Sequence, residues 1–221
     1  MKPTLVERFR ALQQSLNTTE LPMDRPALIA IAASTGGPEA LRRVLGDLPP
    51  DLPACIVIVQ HILPGMSQQL AEQLDRLGGP AVRQARDGDP LRPGEALLGP
   101  SGQHIRVVRR DRGWAVHLSR EPQNAHFFPS ADVLFASVAE NVGARACGVI
   151  LTGMGDDGAR GLGAVRAAGG FTIAQDAESS AIYGMPRRAV ELGSVCVSLP
   201  LSQIGATLSH LVREGRCSHS G

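Results

Sequence analysis

The stretch that decides the fold is ALIAIAASTGGPEALRRVL, which runs from Ala27 to Leu45. Its first part, residues 27–33, is a continuous run of small and apolar side chains, as is typical of a strand that is buried on both faces. A Ser-Thr-Gly-Gly turn follows at residues 34–37, and a helical pattern opens at Pro38. The stretch therefore predicts a strand-turn-helix unit with polar residues at the carboxyl end of the strand.

Similar units recur along the chain, with strand-like and helical runs in alternation. The strand-like runs lie at 54–60, 146–152 and 171–175, and the helical runs lie at about 66–78 and 157–168. Such alternation is typical of a parallel sheet covered by helices on both sides. Residues 90–120 differ because polar and apolar residues alternate between glycines, which favours antiparallel hairpins. We expect an α/β fold: a three-layer α/β/α sandwich with a mostly parallel, doubly wound sheet and an antiparallel hairpin insertion.

The two ends of the chain differ from its middle. Before residue 27, an apolar stripe recurs at helical spacing and is formed by Leu5, Phe9, Leu12 and Leu16. Pro22 and Pro26 then break the pattern. We expect an N-terminal helix and linker at 1–26, one domain at 27–213 and a flexible tail at 214–221.

Composition excludes several classes of protein. The formal net charge is +1, from 22 Lys+Arg and 21 Asp+Glu, so nothing favours binding to nucleic acid or insertion into a membrane. The N-terminus is charged throughout and lacks the apolar core of a secretory signal. The four cysteines form no CxxC pair. Buried thiols in the reducing cytoplasm are their expected state.

Polar side chains that carry chemistry follow three of the predicted strands directly. Ser34 follows the first strand, His61 follows the second, and Asp156 and Asp157 follow the run that begins at residue 146. The carboxyl ends of parallel strands meet at one crevice, where ligands bind. A serine, a histidine and a carboxylate together suit nucleophilic acyl transfer, in which the histidine removes the serine proton and the carboxylate orients the histidine. The spacing alone does not choose between the two aspartates.

Each of these residues also has an ordinary structural interpretation. A serine at a strand-to-helix turn is most often a helix cap, and paired aspartates at a helix start often serve the same purpose. A histidine at a strand end is commonly structural, and His104 in a predicted hairpin is a competing candidate for the base. No H-x-x-H or H-E-x-x-H motif is present, and no cysteine lies at ligand spacing, so we expect no metal.

A rival motif is GMGDDG, residues 153–158, which fits the G-x-G-x-x-G pattern of dinucleotide-binding turns, with Asp176 where a ribose-binding acid belongs. Two carboxylates beside a diphosphate would repel it by several kcal/mol in order of magnitude. We also expect the Asp156 and Asp157 side chains to occupy the N–H groups of the helix that follows. A nucleotide-binding module therefore remains only as an alternative.

Four segments resemble the catalytic domain of the bacterial chemotaxis protein-glutamate methylesterases. They are IAASTGGPEAL, VQHILPGMSQQLAEQLD, LTGMGDDGARGL and IAQDAESSAIYGMPRRAV, and GPSGQH and FPSADVLF are similar to two further motifs. The resemblance covers about residues 27–212. It implies an α/β/α fold and hydrolysis of glutamate methyl esters on the cytoplasmic helices of methyl-accepting chemotaxis receptors. Deamidation of receptor glutamines is a related activity of the family.

The resemblance also assigns the residues of the site. It implies that Ser34 is the nucleophile, that His61 is the base and that Asp157, not Asp156, is the acid. It implies oxyanion stabilisation by Thr35 and the backbone N–H of Met154. It requires no cofactor.

Two further expectations concern the shape of the cleft. Met185, in YGMP, lies in a loop that is expected to border it. Gly36 and Gly37 would let a bulky receptor helix approach the turn closely.

The sequence departs from the family pattern at several points. Family members carry an N-terminal receiver domain, whereas 26 residues precede the domain here. We therefore expect activity that is constitutive and indifferent to small phosphodonors. Phe128, preceded by Phe127, replaces a usual arginine, and Ser101 replaces a common glycine. A catalytically idle adaptor that docks receptor helices is a second alternative, which the presence of Ser34, His61 and Asp157 disfavours.

Overall fold

The computed structural model describes residues 27–111, 113–123 and 126–214, with the backbone alone at 214. Within these ranges the strands are β1 Leu28–Ala33, β2 Cys55–Gln60, β3 Ala81–Gln84, β4 Glu95–Leu98, β5 His104–Arg110, β6 Gly113–Ser119, β7 Ala146–Ile150, β8 Phe171–Gln175 and β9 Val197–Leu199. Seven of them form one sheet in the order β3-β4-β2-β1-β7-β8-β9, and each neighbouring pair in it is parallel. β5 and β6 pair antiparallel as a separate hairpin.

Helices cover both faces of the large sheet. They are α1 Gly37–Gly46, α2 Ser67–Asp75, α3 Ala131–Asn141, α4 Ala159–Ala167, α5 Met185–Glu191 and α6 Leu201–Glu214, with a short 3₁₀ turn at Gly143–Arg145. Ile29 and Ile31 of β1 pack with the apolar sides of α1, α2 and α6. Ala30, on the opposite face of β1, packs with α3, α4, α5 and the hairpin. The predicted three-layer α/β/α fold is therefore confirmed.

The centre of the sheet shows why β1 is apolar without alternation. Every residue of β1 is fully buried, because β2 and β7 flank it and helices cover both of its faces. The chain runs from β1 to β2 on one side and later places β7 on the other side. The carboxyl end of β1 is therefore the switch point of the sheet, where open α/β folds bind their ligands.

The segment between residues 90 and 120 differs in part from the prediction of antiparallel hairpins. His104–Arg110 and Gly113–Ser119 do form the expected hairpin. Glu95–Leu98, however, pairs parallel with β2 and β3 in the large sheet. A run of four residues carries too little periodicity to separate a buried parallel strand from half of a hairpin.

Several other expectations concern the ends of the chain, the cysteines and the membrane. The predicted helix with its linker at 1–26 and nearly all of the predicted tail at 214–221 lie outside the described residues. Cys55 and Cys147 are buried, Cys196 is partly buried, and none of the three forms a disulfide. No helix in the described part of the chain is long and apolar enough to cross a bilayer.

Candidate active site

The ends of three neighbouring strands meet at the turn after β1. The amide of His61 donates to the carbonyl oxygen of Ala33 at 3.0 Å. The amide of Ser34 donates to the carbonyl oxygen of Thr152 at 3.0 Å, on the other side of β1. The parallel register thus continues past the strand ends and sets the backbones of Ser34 and His61 side by side.

His61 binds a carboxylate through one of its two ring nitrogens. Nε2 lies 2.8 Å from Oδ2 of Asp157, and each of the two side chains is 8% exposed. Because an ionised carboxylate can only accept, Nε2 carries the proton. Nδ1 of His61 is buried and makes no hydrogen bond with any described residue. Nδ1 is therefore the nitrogen that remains able to accept a proton.

Asp157 is held by the N-terminus of α3. Its Oδ2 accepts the amide of Ala131 at 2.7 Å, and its Oδ1 accepts the amide of Asp132 at 3.0 Å and the hydroxyl of Ser130 at 2.8 Å. Burial raises the pKa of Asp157, but the hydrogen bonds from His61 and from these groups outweigh burial and hold the pKa below its ordinary value. Asp157 is therefore an ionised acceptor at neutral pH.

The sequence had suggested that Asp157 would occupy N–H groups of the helix that follows it. The donors lie instead at the N-terminus of α3, between 25 and 27 residues before Asp157 in the sequence. The helix after Asp157 begins at Ala159, with Gly158 as its N-cap at φ 90°. The N-terminus of α3 thus binds both carboxylate oxygens, including Oδ2, which also binds His61.

The hydroxyl of Ser34 makes no hydrogen bond with another described residue, so the side chains of Ser34 and His61 are not joined in this structure. Ser34 is partly exposed, and a Cβ built on Gly153 would lie only 2.7 Å from the Cβ of Ser34. Catalytic hydrogen bonds are often long in unliganded sites and tighten when substrate binds. What the structure supplies is the backbone placement of Ser34 beside a buried His61–Asp157 pair.

Thr35 and Met154 are exposed next to Ser34. Thr35 follows Ser34 directly, and its carbonyl oxygen accepts the hydroxyl of Thr152 at 2.9 Å. Met154 is 66% exposed in the loop after β7. Within the described residues, neither the Thr35 hydroxyl nor the Met154 N–H makes a hydrogen bond, so both donors are open to a bound group.

Gly36 is half-buried and Gly37 is buried, and the close approach of a bulky partner to this turn stays a prediction. Gly36 has a φ of 80°, and a Cβ there would lie 2.7 Å from the Cβ of Ala181. A Cβ on Gly37 would overlap Oε1 of Gln60. Both glycines are small because atoms of the protein itself occupy the space that a side chain would need.

Met185 itself has no exposed surface, whereas residues 182–184 of the loop before it line a depression. It is fully buried at the start of α5, and its Sδ occupies the space where Gly153 would otherwise carry a side chain. Its amide donates to the carbonyl oxygen of Gly153 at 2.8 Å. Met185 therefore packs against the loop after β7 from the interior of the protein.

His104, the competing base, has both ring nitrogens engaged. It is fully buried, Nδ1 accepts the amide of Ser130 at 3.1 Å, and Nε2 donates to the carbonyl oxygen of Pro122 at 3.2 Å. Burial is the main reason that the pKa of His104 lies below its ordinary value. His104 is thus a neutral structural residue with no nitrogen left for a substrate proton.

The structure offers no support for the dinucleotide interpretation of residues 153–158. Asp157 is turned toward His61, and Asp156 is exposed. The proposed ribose acid, Asp176, accepts both the amide and the hydroxyl of Ser179, at 3.0 Å and 2.6 Å. It therefore stabilises its own loop. The described ranges contain no cluster of three or more His, Cys, Asp or Glu side chains able to hold a metal ion.

Three residues of the site were missed or passed over in the sequence. The Gln60 side chain donates to the carbonyl oxygen of Ser34, and the ring of Phe127 stacks on His61 with centroids 4.2 Å apart and planes 6° apart. Ser130 joins α3 to Asp157. A lone glutamine at the end of an apolar strand was a usable signal for a buried polar contact, whereas no local pattern connects residue 127 to residue 61.

Comparison with known proteins identifies a family. The sequence model of one family, described as CheB methylesterase, matches residues 29–208. The chain is 50% identical over 195 residues to a protein of Moorella thermoacetica named protein-glutamate methylesterase/protein-glutamine glutaminase, which covers 87% of this chain and 46% of the relative. A relative of the same name, numbered 2, from Anaeromyxobacter dehalogenans is 45% identical over 95% of this chain and 60% of its own length.

A solved structure supports the same grouping. The Thermotoga maritima CheB methylesterase catalytic domain superposes with a TM-score of 0.82 at 33% identity, over 86% of this chain and 100% of that domain. The chain therefore spans a whole catalytic domain of this type. It spans only about half the length of the curated relatives it matches.

Proposed function

The chain belongs to the CheB methylesterase family, and on this premise we propose that it is a serine hydrolase that removes methyl groups from glutamate methyl esters. The proposed substrates are the cytoplasmic helices of methyl-accepting chemotaxis receptors, which places the reaction in the cytoplasm. The observation that carries the proposal is the buried His61–Asp157 pair beside Ser34, in which Nδ1 of His61 has no hydrogen-bond partner among the described residues. The proposed catalytic unit is the domain at 27–213.

The proposed reaction follows serine acyl transfer. Ser34 Oγ attacks the ester carbonyl while its proton moves to Nδ1 of His61. Asp157 stabilises the imidazolium through the Nε2–H hydrogen bond of 2.8 Å. His61 then protonates the departing methoxide oxygen, so that methanol leaves, and afterwards activates the water that hydrolyses the acyl-enzyme. The carboxylate thus binds Nε2 and the base is Nδ1, the reverse of the ring assignment in chymotrypsin-type triads.

Stabilisation of the tetrahedral oxyanion falls to Thr35 and Met154 in this proposal. The Thr35 hydroxyl and the Met154 N–H make no hydrogen bond with another described residue, so both are free to donate to a bound oxyanion. A donor of this kind contributes on the order of 3 kcal/mol to catalysis. The reaction needs no cofactor, because attack, proton transfer and charge stabilisation all come from the chain itself.

Exposed apolar side chains around the site support a protein substrate. The loops that carry the site residues expose five of them: Leu63, Met66, Phe127, Met154 and Ile182. Beside them lies a depression of about 530 Å³ whose lining includes Tyr183, Arg187 and Arg188. Exposed apolar groups are typical of interaction sites, and an amphipathic helix offers an apolar face to such groups.

Deamidation of receptor glutamines is included in the proposal, because the same attack on a side-chain carbonyl would release ammonia instead of methanol. The relatives from Moorella thermoacetica and Anaeromyxobacter dehalogenans carry the name of both activities. An amide is a poorer acyl donor than an ester, so we expect the ester to react faster.

The test is release of methanol from a receptor fragment methylated with a labelled methyl group. The chain should release methanol without added cofactor and in the presence of a chelator, and Ser34→Ala should abolish the release while the protein stays folded. A parallel assay on an unmethylated fragment with glutamine at the same positions would detect ammonia. Methanol release by folded Ser34→Ala at a tenth of the normal rate or more would refute the proposed nucleophile.

A further inference from the structure

Gln60 is a buried polar side chain at the end of an otherwise apolar strand. It is the last residue of β2 and is 2% exposed. Its Nε2 donates to the carbonyl oxygen of Ser34 at 2.8 Å and to the carbonyl oxygen of His61 at 2.9 Å. One amide group therefore ties the backbone of the proposed nucleophile to the backbone of the proposed base.

The orientation of this amide is fixed by its neighbours. If the amide were turned over, Oε1 would face two carbonyl oxygens and no donor, which is repulsive. In the orientation present, Oε1 is buried and has no hydrogen-bond partner among the described residues. It occupies the space where a Cβ on Gly37 would be, so the second glycine of the turn makes room for Gln60.

Both backbone polar groups of Ser34 are hydrogen-bonded. Its amide donates to Thr152, and its carbonyl oxygen accepts the amide of Gly37 at 2.8 Å in addition to Gln60. The side chains of Ser34 and His61 are not hydrogen-bonded to each other in this structure. Their alignment before substrate binds therefore depends on the backbone, and Gln60 is the described side chain that contacts both carbonyls.

We propose that Gln60 is a positioning residue that sets the distance and angle between Ser34 Oγ and Nδ1 of His61. This inference rests on the proposed function, because it presumes that Ser34 is the nucleophile. A displacement of about 1 Å at a reacting group can lower a rate about 100-fold. Loss of the amide should therefore act on the chemical step and leave substrate binding unchanged.

The test compares Gln60→Met with a matched variant, Gln175→Met. Methionine is similar in length and lacks the amide. Gln175 is the fully buried glutamine at the end of β8, where it accepts the amide of Thr152 at 2.9 Å and donates to the carbonyl of Ser179 at 2.7 Å. It contacts neither Ser34 nor His61, so its variant removes comparable hydrogen bonds elsewhere at the same edge of the sheet.

Two rates are measured on folded protein: methanol release from the methylated receptor fragment, and labelling of Ser34 by a fluorophosphonate, located by mass spectrometry. Gln60→Met should lower kcat and the labelling rate together by about 10- to 100-fold, with KM within about twofold. Gln175→Met should lower the melting temperature as much as Gln60→Met does and should label within about threefold of the wild-type rate. Equal rates for Gln60→Met and wild type, or equal losses in both variants, would overturn the inference.

A second variant covers the case in which Gln60→Met does not fold. Gly37→Ala keeps the glutamine but forces its Oε1 aside, so it should lower the labelling rate as Gln60→Met does. Combined with Gln60→Ala it should lose less than the product of the two single losses, because both act on one contact. Additive losses would contradict the inference. If the wild type were not labelled at Ser34 at all, the proposed function would fail and the inference with it.

Discussion

Two histidines lie near the N-terminus of α3, and their surroundings are similar at first sight. His61 stacks on Phe127 with ring centroids 4.2 Å apart, and His104 lies against the next residue, Phe128, with centroids 4.5 Å apart and ring planes tilted by 32°. Both are connected to the start of α3, His61 through Asp157 and His104 through the amide of the N-cap residue. Either could be taken for a catalytic base from its position in the sequence.

The ring nitrogens distinguish the two regions. In neutral His104, Nδ1 accepts an amide proton and Nε2 donates to a carbonyl oxygen, so both ring nitrogens have partners. His61 binds a carboxylate through Nε2 alone, and its buried Nδ1 has no hydrogen-bond partner among the described residues. An imidazolium at His61 gains a charge partner, whereas an imidazolium at His104 would place two N–H donors against each other. An unpaired ring nitrogen is therefore a better criterion for a candidate base than the position of the histidine after a strand.

The largest expected effect concerns the unit formed by Ser34 and His61. Ser34→Ala, His61→Ala and the double variant should each lower turnover by about 10³-fold or more, because the two groups act together in one proton transfer. The measurement is methanol release per folded enzyme for the three variants. A double variant that is far slower than both single variants would mean that the two residues act independently.

The next effect concerns the carboxylate that His61 has and His104 lacks. Asp157→Asn should lower turnover by about 100-fold or more, because an amide cannot replace a carboxylate as the partner of Nε2–H. It should also lower the melting temperature, since both carboxylate oxygens accept hydrogen bonds from α3. Asp156 is exposed, so Asp156→Asn should cost at most about 1 kcal/mol of stability. Kinetics and melting curves of both variants decide this, and equal effects would refute the assignment.

A smaller effect should separate the two phenylalanines that contact these histidines. Phe127→Leu removes a ring contact worth about 0.5–1.5 kcal/mol, so it should lower turnover by at most about tenfold. Phe128→Leu acts on the structural histidine and should lower the melting temperature without a matching loss of turnover. The same two assays on both variants test this contrast, and a reversed pattern would contradict it.

The smallest effect is a pH dependence of stability at His104. Burial lowers the pKa of folded His104, with a further contribution from Arg106, so the unfolded chain takes up a proton first as the pH falls. The stability that neutral His104 provides is complete above the unfolded pKa of about 6.5 and is lost as the pH falls from there through the lower, folded pKa. Between about pH 8 and about pH 5, the free energy of unfolding should therefore fall less steeply in His104→Asn than in the wild type. Parallel slopes would contradict this.

Much of the fold follows from residues 27–45. The uninterrupted apolar run of β1 predicts a strand that is covered on both faces, and the turn after it predicts a switch point. Boundaries were less certain: the helix expected at 66–78 extends over Ser67–Asp75. β3 and β9 were not predicted, because segments of four and three residues are too short to show a periodic pattern of apolar residues.

The site was predictable to the extent that parallel strands align their carboxyl ends. That rule brought Ser34 and His61 together without knowledge of the family. It could not choose Asp157 over Asp156, because the choice depends on the N-terminus of α3, which lies about 25 residues away in sequence. For the same reason the contacts of His61 with Phe127 and of Gln60 with Ser34 could not be predicted, since they are set by packing between distant segments.

The measurement that tests the central claim most directly is methanol release by His61→Ala and His104→Ala on one methylated receptor fragment, each rate corrected for the folded fraction. The account predicts that His61→Ala retains about a thousandth of the wild-type rate or less, whereas His104→Ala stays within about tenfold of it. A rate for folded His104→Ala below that of folded His61→Ala would show that the base has been assigned to the wrong histidine.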